Sequence, residues 1–90
     1  MSERVYNIYF DFTNFIKDKK YTLKVSNQKP LNDIIKALKL NEELKSVFET
    51  NNVLSCVNGN EIDGKLSLTE NNIKDGDTIT ISKLINKQRT

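Results

Sequence analysis

The chain has no histidine and a single cysteine, Cys56. One thiol cannot close a disulfide within the chain, and the two scarcities together point to a reducing compartment and away from metal chemistry. No segment approaches the roughly 18 consecutive apolar residues needed to span a bilayer. The N-terminal stretch MSERVYNIYFDFTN carries Glu3, Arg4 and Asp11 and no uninterrupted apolar run, so it does not read as a signal peptide. Neither sign of charge dominates: 14 Lys and Arg stand against 12 Asp and Glu, interspersed, for a net +2. A nucleic-acid binder shows a larger one-sided excess with aromatics interleaved. The densest basic cluster, Lys17, Lys19 and Lys20, is broken by Asp18 and reads as a solvated hairpin loop. G-x-S-x-G, phosphate-loop and metal-ligand spacings are also missing, which leaves no catalytic residue, cofactor or metal to assign. Carboxylate pairs such as Asp63 with Asp75 or Asp77 are read as turn-fixing residues. A cytoplasmic, non-enzymatic protein without nucleic-acid, membrane-insertion or small-molecule chemistry is the expectation.

Glycine is scarce too, with Gly59, Gly64 and Gly76 the only ones, all in one stretch of turns. Asn58-Gly59 is a strong hairpin signal, because two-residue turns that follow the sheet's twist need positive φ. Asp63-Gly64 and Asp75-Gly76-Asp77 repeat the punctuation, and Thr78-Ile79-Thr80-Ile81-Ser82 alternates polar with apolar β-branched residues as a half-buried strand does. Ninety residues make one domain, able to bury roughly 60 to 65 per cent of its unfolded surface. It is placed at residues 1–85, and residues 86–90 are expected as a flexible basic tail.

Along the chain, Tyr6, Ile8, Phe10 and Phe12 alternate with Asn7, Tyr9 and Asp11, predicting a strand over residues 5–13 with one face on a core. Tyr21, Leu23 and Val25 predict its antiparallel partner across a loop of more than two residues. Pro30 stands where a first helical turn tolerates proline, and Leu31, Ile34, Ile35 and Leu38 recur at helical spacing over residues 31–40. Asn41 can cap a second short helical piece with Leu44, Val47 and Phe48 as its apolar stripe. A third strand follows over residues 53–57, its inward face open between Leu54 and Cys56 on one side and Val53, Ser55 and Val57 on the other. A very short strand around Glu61 and Ile62, a helical turn over residues 69–72, and a last strand over residues 78–84 with Ile79 and Ile81 inward complete the order. Hairpin, helix and further strands in this order make an α+β β-grasp: a mixed four- to five-stranded sheet, one main helix packed across one face, the last strand beside the first.

The run NGNEIDGKLSLTENNIKDGDTITI resembles the ubiquitin family, with its glycine turn, short strand, Asp-Gly, and a Leu-(Ser/Thr)-x-x-x-Ile element, here Leu68, Thr69 and Ile73. The resemblance covers residues 6–84. FDFTN at residues 10–14, together with NIKDGDTITI, is similar to the small YukD/EsaB-like proteins, cytoplasmic ubiquitin-like components associated with Gram-positive type VII secretion. That likeness implies an accessory or regulatory protein-interaction role, with secretion-machine subunits as partners. The alternatives are a modifier or carrier and an adaptor in another pathway. The modifier reading is disfavoured because the sequence ends Asn86-Lys87-Gln88-Arg89-Thr90 and not in the Gly-Gly that such chemistry uses. The positions comparable to ubiquitin's apolar patch include Cys56 and Ser82, so binding to standard ubiquitin receptors is not expected.

The candidate partner-binding residues are Tyr9, Lys17, Lys19, Lys20 and Lys24. If the even-numbered residues of the first strand face the core, Tyr9 stands on the open side of the sheet beside Asn7, Asp11, Thr22 and Lys24. An aromatic among polar residues suits a protein interface, or else covers the sheet as a cross-strand packing residue. Cys56 is read as a small buried or half-buried hydrophobe in preference to a reactive thiol, since a strand offers neither helix N-terminus nor basic neighbour. The tail, with Lys83, Lys87 and Arg89, is read as a solubilising end in preference to an electrostatic contact. A monomer or weak homodimer fits the sequence equally.

Overall fold

The alternation of residues 5–11 builds strand β1 (Val5–Asp11), which pairs antiparallel with β2 (Lys20–Ser26) from Val5↔Ser26 to Asp11↔Lys20. The computed structural model describes residues 3–84, so the tail at residues 86–90 lies outside the described residues. β1 ends two residues before the expected Thr13. The Asp11 carboxylate accepts from both the Thr13 amide (2.8 Å) and the Thr13 hydroxyl (2.6 Å), curling the backbone out of the ladder. Phe12 is nevertheless fully buried. Its amide donates to the Lys19 carbonyl, and its carbonyl accepts from the Phe15 and Ile16 amides.

Pro30 precedes helix α1 (Leu31–Leu38) with extended backbone, one position earlier than a first-turn proline, and gives it no side-chain cap. A distant loop caps the helix instead. The Leu31 amide donates to the Leu66 carbonyl (3.0 Å) and the Asn32 amide to the Gly64 carbonyl (2.9 Å), satisfying two of the donors that every helix start leaves open. Gly64 does not take positive φ. It permits this approach, since a Cβ there would meet Asn32 Oδ1. The helix stops at Leu38, short of the expected residue 40, because the amides of Leu40 and Asn41 turn to Ala37 and Leu38 in tighter i→i+3 bonds. Asn41 then caps α2 (Glu42–Thr50), its Oδ1 accepting from the amides of Glu43 and Leu44. The expected short second piece is thus a nine-residue helix, beside eight residues in α1, and the fold has two helices of similar length where one main helix was expected.

Strand β3 (Val53–Val57) follows, then β4 (Asn60–Glu61) and β5 (Thr78–Lys83). The order β2-β1-β5-β3-β4 puts the last strand parallel to the first in the middle of the sheet. Ser55 is buried opposite Ile81 while Val53 and Val57 pack on the core, which settles the inward face of β3. Asn58 and Gly59 both take positive φ (54° and 83°), closing the hairpin between β3 and β4. A Cβ on Gly59 would touch nothing, so Gly59→Ala carries only the backbone penalty of that φ. A loss of about 1 kcal/mol, lowering Tm by roughly 4–8 °C in a thermal melt, is expected.

Between β4 and β5 the expected helical turn is a single closed turn. Ser67 and Glu70 cap it reciprocally, the Ser67 amide donating to Glu70 Oε1 and the Glu70 amide to Ser67 Oγ. Asn72, at φ 63°, ends it, with the Ile73 amide on the Leu68 carbonyl and the Asn72 amide on the Thr69 carbonyl. The side chains of Leu68 and Ile73 are thereby driven into the core, where they meet Ile8, Phe10, Ile79 and Ile81 from the sheet and Leu31, Ile34, Leu38 and Leu44 from the helices. Both helices lie on that one face of the sheet.

Candidate functional site

Residues opposite each other in register share a face of a sheet. Pairing therefore assembles the uncovered face from Asn7, Tyr9 and Asp11 of β1, Lys24, Thr22 and Lys20 of β2, Thr78 and Thr80 of β5, Cys56 of β3 and Glu61 of β4. Tyr9 sits near its middle, paired with Thr22 on one side and Thr78 on the other. Between those short neighbours Tyr9 is 43% exposed. Its amide is held by the Asp77 carbonyl at 3.1 Å. Beside it the Asn7 amide donates to Asp75 Oδ1 (2.7 Å) and the Gly76 amide to the Asn7 carbonyl (2.8 Å), so the turn before β5 pins this part of β1.

The face is largely polar, with Tyr9 as its aromatic and Val5 and Leu54 as aliphatic residues among the described ones. The Thr13 hydroxyl, then the Thr13 amide, hold the Asp11 carboxyl below the ordinary carboxylate range, with Lys20 contributing in the same direction. Burial, and secondarily the Glu61 carboxylate, push the Cys56 thiol up, which makes it a poorer nucleophile than a free cysteine. Asp63, Asp75 and Asp77 each serve a different backbone amide, those of Lys65, Asn7 and Lys74. Among the described residues no three His, Cys, Asp or Glu side chains are grouped to hold a metal ion.

Of the five residues singled out in the sequence, the structure brings together Tyr9, Lys20 and Lys24 and separates the other two. Lys17 is exposed in the loop after β1. Lys19 turns to the helix side, with its Nζ 3.1 Å from Glu43 Oε1 and 5.7 Å from the centroid of Tyr21. The hydrogen bond to Glu43, followed by that carboxylate's charge, raises the Lys19 pKa. Leu54 joins the open face opposite Ser82, and sequence periodicity left that open because β3 reads equally well in either register.

A five-stranded mixed sheet with β5 parallel to β1 in its middle, and both helices on one face, defines a ubiquitin-like β-grasp fold. Solved structures agree. The chain is similar to the ubiquitin-like domain of Plasmodium falciparum Dsk2 at 19% identity and TM-score 0.67, over 90% of this chain and all of that one. It is similar to the EccD5 ubiquitin-like domain from Mycobacterium xenopi at 18% identity and TM-score 0.66, over 93% of this chain and 99% of that one. A chain of the MycP5-free ESX-5 inner membrane complex also matches, at 17% identity and TM-score 0.65, over 96% of this chain but 22% of that one. No family model matches the chain, and no curated protein matches its sequence. Among the described residues, no helix is long and apolar enough to cross a membrane.

Proposed function

We propose that this chain is a non-catalytic ubiquitin-fold module that works by binding protein, as a cytoplasmic accessory or regulatory component of a type VII-like secretion system. The observation that carries the binding role is Tyr9, an aromatic standing free on the uncovered face between Thr22 and Thr78, with Lys20 and Lys24 on the adjoining strand. Aromatic residues set in a polar surround are enriched where proteins dock. Support for the secretion context comes from the likeness of residues 10–14 and of NIKDGDTITI to the YukD/EsaB-like proteins. The similarity to a domain within a multi-subunit inner membrane complex points the same way. Fold alone does not assign function, so the test must identify the partner.

Tagged protein captured from its own cells should bring secretion ATPase or membrane-channel subunits, identified by mass spectrometry. Tyr9→Ala should reduce that recovery by about tenfold or more while changing stability by about 1 kcal/mol or less. Equal recovery with Tyr9→Ala would remove the open face as the docking surface. Capture of no secretion subunit by the parent protein would remove the secretion assignment.

A further inference from the structure

A second surface lies at the far edge of the sheet, away from Tyr9. The Leu84 amide donates to the Asn52 carbonyl at 2.7 Å, so even-numbered residues of β3 turn their backbone groups toward β5 and odd-numbered ones toward the opposite edge. On that edge Val57 pairs with Asn60, and the Ser55 carbonyl accepts from the Ile62 amide at 2.9 Å. Val53 comes two residues earlier, and β4 is too short to reach it. Among the described residues its outward amide and carbonyl have no strand beside them.

This open stretch of edge borders a groove of about 450 Å³ between β3, the loop after β4, and the helices. Its lining combines the half-buried apolar residues Ile35, Phe48, Val53 and Ile62 with polar Asn51, Asn52, Ser55 and Glu61. Lys39 lies along Phe48, its Nζ 5.5 Å from the ring centroid. A second depression adjoins it, sharing Asn32, Ile35, Lys39 and Gly64 and adding Lys36 and Lys65. These three lysines outnumber the bordering Asp33 and Glu61. They also take no part in the ion pairs found among the described residues, Lys19 with Glu43 and Lys45 with Glu49.

We infer that this groove receives an extended, acidic segment of a protein partner, which adds a strand at Val53, sets aliphatic side chains against Ile35, Phe48 and Ile62, and lays carboxylates along Lys36, Lys39 and Lys65. Each part of that occupant answers a separate feature. The outward Val53 groups, with no strand beside them among the described residues, need an extended backbone, the half-buried apolar residues need side chains at alternate positions, and the excess of lysine over Asp33 and Glu61 needs negative charge. The surface is distinct from the Tyr9 face and does not depend on the reading of that face.

The test is an NMR titration of amide-labelled protein with the blocked peptide Glu-Asp-Val-Ile-Val-Glu-Asp-Glu. Three controls accompany it: Lys replacing each acid, Gly replacing each aliphatic, and N-methylation at alternate amides of the central residues. Saturable shifts at Val53, Ile35, Phe48 and Ile62 are expected, with each control weakened by about tenfold or more. The combined Lys36→Glu, Lys39→Glu and Lys65→Glu variant, its fold checked by retained shift dispersion, should weaken the parent peptide similarly, whereas Tyr9→Ala should leave it unchanged. The inference is overturned by no saturable shift at Val53 up to about 1 mM peptide. Equal binding of the basic or N-methylated peptide, or shifts gathered around Lys20 and Lys24 instead, would overturn it as well.

Discussion

Phe12→Ala is expected to cost about 3–5 kcal/mol, a large share of the roughly 5–15 kcal/mol that holds a domain of this kind together. Phe12 is fully buried although the strand that carries it has already ended. Its ring meets Tyr21 of β2 edge-on at 6.2 Å and Phe48 of α2 edge-on at 5.9 Å. Such aromatic pairs contribute about 0.5–1.5 kcal/mol each beyond the area they bury. Truncation would therefore open a cavity and at the same time uncouple the hairpin from the second helix. Denaturant unfolding should show a lower midpoint with the slope unchanged, as befits lost stability without a change in the exposed surface. Phe12→Leu, which keeps most of the volume, should lose about 1.5 kcal/mol or less. A Phe12→Ala loss no larger than that of Phe12→Leu would mean that α2 packs on the sheet without this ring.

The second large effect is expected at Asn27, a buried polar residue in the connection between β2 and α1. All of its hydrogen-bonding groups are engaged. Its Oδ1 accepts from the Arg4 amide (2.8 Å) and its Nδ2 donates to Thr69 Oγ1 (2.9 Å). Its own amide donates to the Arg4 carbonyl, and its carbonyl accepts from the Thr69 amide. One side chain thus ties the start of β1 to the capped turn that drives Leu68 into the core. Asn27→Ala strands a donor and removes a cross-link between distant segments, for an expected loss of about 2 kcal/mol. Thr69→Val removes only the hydroxyl and should cost about 1 kcal/mol. A double-mutant cycle measures their coupling, and strictly additive losses would show that the Asn27 to Thr69 bond contributes nothing.

Neither residue stood out for these roles in the sequence, and the reasons differ. Phe12 was legible as inward-facing from the alternation with Phe10 and Ile8. Its packing against Phe48 was not, because the two positions are far apart in the chain and meet only when the helix folds over the hairpin. Asn27 lies in a stretch whose composition reads as polar connection. Its burial follows from the packing of the turn at residues 67–72 against that connection, a contact that no local pattern encodes. The same holds for Lys19 and Lys20. These neighbours looked like one basic cluster, yet alternation along β2 sends Lys20 to the open face and the turn sends Lys19 to Glu43.

What the sequence by itself determined was local: the period-two strands, the positive-φ turn at Asn58-Gly59, the Asn41 cap, the amphipathic stripes of both helices, and hence the β-grasp order. These signals are legible because each depends on residues within one turn or one strand pair. Tertiary structure decided what depends on distant segments meeting. Register across β5 turned Ser55 inward and Cys56 outward, and the carbonyls of Gly64 and Leu66 took over the start of α1 from a proline that could not cap it. The brevity of β4 left the outer edge of Val53, on the side away from Lys83 of β5, with no strand beside it among the described residues. Periodicity specifies which residues alternate, but only the packing of one element on another selects the face that is buried and the edge that stays open.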